Sequence, residues 1–396
     1  MPAAFLHGVE IVENQNGVRP VRAVRSSIIG VVGTAPNADP LKFPLDTPVL
    51  VAGSRTEAAA LDTLGTGLGT LPAVMDDIFD QAGALVVVIR VAEGISSTGI
   101  SAAAATKANV IGGVDVGGFR TGIQALLDAQ TKVGFVPRIL IAPGWTNDLA
   151  VVNDMIAIAD KLRGIIIADG TNTTDAAAIA YRANFGSRRV FVVDPAVEVF
   201  DTVSASNVIR PASGRVAGLI AKSDAERGYW HSPSNQLING IVGLARDIDF
   251  TFGDATSRAN LLNEKEVTTI IRQDGFRLWG NRTCSADPKW AFLSVVRTND
   301  MINEAILQSH LWAVDRNITK TYVEEVLEGI NAYLRSLVAR EVILGGKAWV
   351  DPAFNTAAQI TQGNVTFDYD FTPPYPAERI TMRSHLVNDY IQEVFK

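Results

Sequence analysis

One cysteine among 396 residues, Cys284, excludes an internal disulfide and suits a reducing compartment. Trp279 and Trp290 stand near it in the chain, which suits a small core side chain better than a nucleophile. Histidine is nearly as scarce. His7, His231, His310 and His385 are scattered without paired spacing, so no metal site is expected. No apolar run is long enough to span a bilayer, and MPAAFLHGVEIVEN lacks the basic-then-apolar order of a secretory signal. A cationic excess is missing too. With 35 Lys and Arg against 42 Asp and Glu, the formal charge of −7 argues against a general nucleic-acid binder.

What remains is the composition of a soluble globular protein, 47% hydrophobic and 19% charged. At 396 residues the chain exceeds one ordinary core, so two or three domains are expected. Residues 1–22 read as an arm. Val9, Ile11 and Val12 interleave with Glu10 and Glu13 in a short strand ended by Asn14-Gln15-Asn16-Gly17. Such a strand cannot fold alone. Fully extended, about twenty residues reach roughly 65 Å, far enough for a neighbouring subunit, though an edge strand of its own domain is equally open.

From Ser26 onward buried-type strands alternate with helix-forming stretches. SSIIGVVGT (26–34) and ALVVVIRV (84–91) flank helices over 56–64 and 72–82. Residues 95–110, small and polar, read as a boundary or exposed insertion. Beyond them, helices at 122–132, 148–162, 174–185 and 211–221 interleave with apolar strands at 137–144, 164–170 and 189–195, the pattern of a mostly parallel α/β layer.

The stretch 261–346 is the most strongly patterned. A β-branched run (267–272) leads through a turn into Gly275–Thr283, and two helices follow, over about 299–314 and 319–343. In the second, Val323, Val326, Leu327, Ile330, Leu334, Leu337 and Val338 draw one apolar stripe. Thr321-x-x-Glu324 reads as its capping box, and Gly345-Gly346 as its stop. Val365, Phe367, Tyr369 and Phe371, then Ile380, Met382 and Leu386, alternate at period two, which suggests neighbouring strands packed on the helices as an α+β layer. The final YIQEVFK is short and amphipathic and reads as a second arm.

A catalytic set is hard to assemble. Asp169 and Asp194 end strands, where α/β folds place ligands, yet Asp169-Gly170 and Asp194-Pro195 read better as turn chemistry. His231, Ser232 and Ser234 offer a base and hydroxyls, but no G-x-S-x-G elbow exists and sequence neighbours seldom face each other. Gly65-Thr66-Gly67-Leu68-Gly69-Thr70 lacks the Lys of a phosphate loop and the spacing of a dinucleotide fingerprint, and reads as a flexible turn. No catalytic residue, cofactor site or metal site is therefore expected; the chain reads as a structural subunit and not an enzyme. The alternative is an α/β hydrolase-like enzyme with an added binding domain, and a monomeric binding module is a third class.

The ordered set LLN (261–263), the β-branched run, G-x-x-x-WGNRT (275–283), Asp287-Pro288 and Trp290, with GYWHSPSN (228–235) and the N-terminal HGVEIVE, resembles the tail sheath proteins of contractile phage tails. The likeness is greatest to the sheaths of P2-like phages and R-type bacteriocins; it touches nearly the whole chain and is weakest over 95–210. It implies an α/β plus α+β fold with an inner α+β domain formed by 23–94 and 255–378, an outer α/β domain inserted at 95–254, an N-terminal linking arm at 1–22 and a C-terminal strand and arm at 379–396. It implies that Val9, Ile11, Val12, Tyr390, Ile391 and Val394 add strands to adjacent subunits. Arg316, Lys320, Arg335 and Arg340 are its candidates for facing a tail tube, although 261–346 holds 10 Lys and Arg against 11 Asp and Glu and so no gross basic patch. The implied partners are further copies in stacked hexameric rings, the tail tube protein, and baseplate and tail terminator proteins. Nucleic acid and membrane insertion are not among them. The implied location is a virion tail or bacteriocin particle assembled in the host bacterial cytoplasm.

Overall fold

The computed structural model describes residue 21 and residues 24–395. Its central feature is a six-stranded sheet. In chain order its strands are β1 (Ile29–Thr34), β2 (Val49–Ala52), β3 (Leu85–Val91), β6 (Ile139–Ile141), β7 (Ile165–Asp169) and β8 (Val190–Val193); in space they run β2-β3-β1-β6-β7-β8. Between β3 and β6 lies a small hairpin, β4 (Gly113–Val114) with β5 (Arg120–Thr121). All pairings in the large sheet are parallel except that of edge strand β2 with β3. Apart from the half-covered edge strand β2, the strands are short, mostly β-branched and buried on both sides, because side chains alternate between two covered faces. On one face Ile29, Val31, Val86, Val88, Ile139 and Ile167 pack with helices Leu71–Phe79 and Ser213–Glu226. On the other, Val32, Ile89, Leu140, Ile166 and Val192 pack with helix Leu149–Leu162 and the 3-10 segment Gly122–Asp128.

Helix Ser213–Glu226 crosses helix Leu71–Phe79 closely because two of its residues carry no side chain. A Cβ at Gly218 would stand 2.6 Å from the Ile78 carbonyl oxygen, and one at Gly214 2.7 Å from Val74 Cγ2. Outside the large sheet, β9 (Val197–Asp201) pairs with β10 (Ser206–Arg210) and β11 (Gly243–Leu244), and β12 (Thr269–Arg272) forms a hairpin with β13 (Phe276–Trp279).

The last layer is α+β, as the sequence pattern suggests. Helices Leu293–Ser309 and Lys320–Ala339 enclose a separate core of Ile302, Ala305, Ile306, Val326, Ile330, Leu334 and Leu337. Ala348, Tyr369 and Phe371, from the antiparallel pair β14 (Gly345–Trp349) and β15 (Asp368–Thr372), cover it. The two layers are joined by charge. Helix Leu293–Ser309 turns Ile302, Ala305 and Ile306 to the α+β core and Arg297, Asp300 and Glu304 to the α/β layer. There Asp300 meets Arg189, Glu304 meets Arg138 at 3.0 Å and Arg163 at 3.3 Å, and Arg297 meets Asp224.

Several expectations are corrected. The break expected between residues 94 and 95 falls inside the large sheet, since β1 lies between β3 and β6 and hydrogen-bonds to both. Residues 95–110, read as a boundary or exposed insertion, are mostly exposed, and from Ala102 they are helical. Ser101 caps helix Ala102–Ile111 by accepting from the Ala104 amide, and Thr106 and Val110 are buried. The cap of the long helix is Thr319 and not Thr321, because the Thr319 side chain accepts from the Tyr322 amide and the helix opens at Lys320. It ends at Ala339, so Gly345-Gly346 opens β14 and is not its stop. The preceding helix starts at Leu293 and not near 299. Residues 379–386 form no strand within the molecule. Tyr390, Ile391 and Val394, expected to pair with a neighbouring copy, lie in the single chain in a 3-10 turn, Asp389–Phe395, where Ile391 N donates to Asn388 O. With no strand beside it, that backbone meets its hydrogen-bonding demand locally.

Candidate assembly surfaces

The strand-end carboxylates, the 231–234 hydroxyls and the glycine-rich turn have their polar groups engaged within the molecule. Asp169, at the end of β7, accepts from Thr146 Oγ1 (3.0 Å), Ser213 N (2.9 Å) and Ser213 Oγ (2.7 Å). Burial raises its pKa, against the hydrogen bonds from Ser213. Thr146 and Ser213 are wholly buried, so the cluster ties the start of helix Ser213–Glu226 to the sheet and offers nothing to a substrate. Asp194 accepts from Asn172 N (2.8 Å) and from Arg246 Nη2 (2.6 Å), and Arg246 also bridges to Asp175 at 2.8 Å. Both strand-end carboxylates thus tie distant segments to the sheet: Asp169 holds Thr146 and Ser213, and Asp194 holds Asn172 and Arg246.

The serines and histidine of 231–234 do not converge. Ser232 Oγ accepts from Ser234 N (3.2 Å), Ser234 Oγ accepts from Gly280 N (3.1 Å), and exposed His231 leans on the Trp230 ring. Burial and the nearby Arg227 lower the His231 pKa. In the glycine-rich turn, Thr70 N is taken by Thr34 O (2.9 Å) and Gly67 N by the Asp62 carboxylate, a setting that repels an anion. Gly69 is required there: its φ is +90°, and a Cβ would stand 2.4 Å from Thr34 O. Cys284 is fully buried, and burial pushes its thiol up to about 12. Among the described residues no cluster could hold a metal, and no helix is long and apolar enough to cross a membrane.

Among the described residues, three surfaces bear on the expected contacts. The first is the open sheet β14–β15, which has no third strand among the described residues. On β14, Ala348 is partly closed off by Asn331 of the long helix, which bonds its amide (2.8 Å) and carbonyl (3.3 Å). β15 has β14 on one side only, which leaves it as an edge able to accept another strand. The second is the segment after β15, where Ile380, Met382, Leu386, Tyr390, Ile391 and Val394 are all exposed. Val9, Ile11 and Val12, expected to act with it, lie outside the described residues.

The third is the outer face of helix Lys320–Ala339 with its approach. Here the four proposed cations differ. Arg316 lies over the Trp312 ring at 5.3 Å and Arg340 over the Trp230 ring at 5.4 Å. Arg335 is paired with Glu328. Lys320, 90% exposed, is only 3.8 Å from Glu324, so it is the most available of the four. Sequence reasoning had no means of seeing the two aromatic platforms, which come from a 3-10 turn and from a distant loop.

A family model for the phage tail sheath protein central domain matches residues 119–284, and one for the phage tail sheath C-terminal domain matches 285–386. A Pseudomonas aeruginosa (strain UCBPP-PA14) protein carrying the name of a prophage major tail sheath protein is 44% identical, covering 99% of both chains. The tail sheath protein of Escherichia phage P2 is 37% identical over 98% of this chain and 97% of its own. In fold, the chain is similar to the helical sheath of the anti-feeding prophage in its contracted state (TM-score 0.70, 21% identity, 97% of this chain and 99% of that one). It is likewise similar to the contracted PVC sheath of an extracellular contractile injection system (TM-score 0.69, 17% identity, 98% and 99%). With a relative this similar along its whole length and family models over most of it, the chain belongs to the phage tail sheath protein family.

Proposed function

We propose that this protein is the structural subunit of a contractile tail sheath, which polymerises around a tail tube and contracts by re-packing its lattice to drive the tube through a target envelope. The observation that carries the reading is the open β14–β15 edge beside a chain end whose apolar side chains are uncovered. An edge strand and an exposed apolar segment on one molecule are complementary halves of a strand-exchange contact between copies. Such contacts are head-to-tail and generate rings or helical filaments. Residues 1–22 and 379–396 serve as the linking arms, with Val9, Ile11, Val12, Tyr390, Ile391 and Val394 pairing to neighbouring copies. Subunits stack as hexameric rings. The face bearing Lys320, Arg316, Arg335 and Arg340 meets the tube protein, and the ends of the sheath meet baseplate and terminator proteins. The α+β layer of 293–372 is the tube-facing layer, and the α/β layer is the outer one. The particle is a phage tail or bacteriocin, assembled in the bacterial cytoplasm.

Energy for contraction is stored in lattice packing, and no bond chemistry is required of the subunit. The hydrolase alternative finds no support in a molecule whose candidate base and hydroxyls point to different partners. Negative-stain electron microscopy of the purified chain at high concentration tests the reading. Hollow tubes or stacked rings are expected; small particles that persist with co-expressed tube protein would overturn it.

A further inference from the structure

The chain leaves β15 through Pro373-Pro374-Tyr375-Pro376, a run that holds the backbone extended. At its end stands a built contact. Arg282, in the loop after β13, donates from Nε to Glu378 Oε1 at 2.8 Å and from Nη2 to Oε2 at 2.6 Å, a two-pronged ion pair. The guanidinium lies 5.1 Å from the centroid of the Phe292 ring, and Tyr375 meets the same ring edge-on at 6.0 Å. One aromatic ring therefore supports both the cation and the extended segment that presents its carboxylate. The hydrogen bonds and charge of Glu378 raise the Arg282 pKa. Beyond Glu378 the order of contacts changes. Among the described residues the next hydrogen bond is the local one from Ile391 N to Asn388 O, and Ile380, Met382 and Leu386 are 73%, 90% and 99% exposed.

We infer that the Arg282–Glu378 pair is a clamp that sets the point and direction at which segment 379–395 leaves the body, so that a second copy of this chain can take up its apolar side chains. The inference rests on the self-assembly reading for its occupant. The geometry of the clamp stands apart from it. A fork-to-fork pair fixes the plane of the carboxylate as well as its distance, which a lysine could not do. Fixing a direction matters only where the acceptor has a fixed position, and every neighbour in a regular polymer has one. Arg282 and Glu378 remain 35% and 40% exposed, so the clamp can open and reclose without desolvating a buried charge. It is a hinge point suited to a segment that stays attached while copies shift.

The test uses the full chain with nitroxide labels at Ile380→Cys and Lys265→Cys, the buried Cys284 staying unlabelled. Pulsed electron resonance should give one narrow distance distribution. Arg282→Glu and Glu378→Arg should each broaden it severalfold, and the two combined should narrow it again in large part, since a charge swap keeps the ion pair and loses only the cation's contact with Phe292. Arg282→Lys should fall between. Unchanged distributions in the single variants, or no recovery in the swap, would overturn the clamp. The same chains without labels are then examined for tubes. Tubes from the wild type and the swap but from neither single variant are expected; normal tubes from both single variants would overturn its part in assembly. No tubes from the wild type, with the distances behaving as expected, would sink the self-assembly reading and leave the clamp standing.

Discussion

Replacing Asp300 with alanine should expose how strongly the two layers are held together. Asp300 and Arg189 are 2% and 3% exposed, so neither charge has water to fall back on. Burial alone would lower the Arg189 pKa; the carboxylates of Asp300 and Asp160 outweigh it and hold the guanidinium charged. Breaking a buried pair by removing one partner typically costs about 3–5 kcal/mol, because the other charge stays buried. Here Arg189 keeps Asp160 at 2.9 Å, a partner that is itself mostly exposed, so the cost should sit near the lower end, about 3 kcal/mol. Replacing both residues, Arg189→Met with Asp300→Leu, removes the stranded charge and should recover stability to within about 1 kcal/mol of wild type. Urea unfolding followed by far-ultraviolet circular dichroism at pH 7 measures both. A loss below about 1 kcal/mol for Asp300→Ala, or a double variant no more stable than the single one, would refute the claim that charge pairing joins the layers.

Other outcomes follow from particular contacts. Gly218→Val should destabilise by about 1–3 kcal/mol or more, since its Cβ would meet the Ile78 carbonyl; an unchanged urea midpoint would show that the helices are free to part. Cys284 should not react with a thiol reagent in the native chain at pH 8 and should react fully in urea, its thiol being buried and pushed up to about 12; rapid native labelling would contradict that placement. Asp77 is pushed up to about 6 by burial, against the pull of Arg215 and Arg210. The folded state then holds a proton that the unfolded state has released, so this group's contribution is full below pH 3.8 and is lost as pH rises through 6. The wild-type unfolding free energy from urea titrations should therefore fall more over that window than that of Asp77→Asn, by up to roughly 3 kcal/mol at 1.36 kcal/mol per unit; parallel profiles would refute it. Deleting residues 1–20 should leave a folded chain that forms no tubes, and normal tubes would remove the N-terminal arm from the proposal.

What could be read from the sequence was whatever one element decides for itself. The strands of the large sheet were legible because ALVVVIRV and GIIIADG need no partner to show that both faces are buried. The stripe of the long helix was legible for the same reason, and Val326, Ile330, Leu334 and Leu337 are buried as its period requires. Order in space was not legible. That β1 sits between β3 and β6 depends on which strands meet, so a boundary drawn from composition at 94/95 passed through a sheet. Caps and stops were misplaced by single hydrogen bonds, as with Thr319 in place of Thr321.

The chain end shows the deeper limit. Ile380, Met382 and Leu386 alternate as a strand should, yet in the single molecule they form none. A period-two pattern states which face would be buried if a neighbour were present, and it says nothing of whether the neighbour belongs to the same molecule. Among the described residues those apolar side chains stay exposed to water, while β15 keeps an edge with no strand beside it. Both deficits are met at once if each copy's end is completed by another copy. A pattern that fails as a statement about the monomer is then sound as a statement about the assembly.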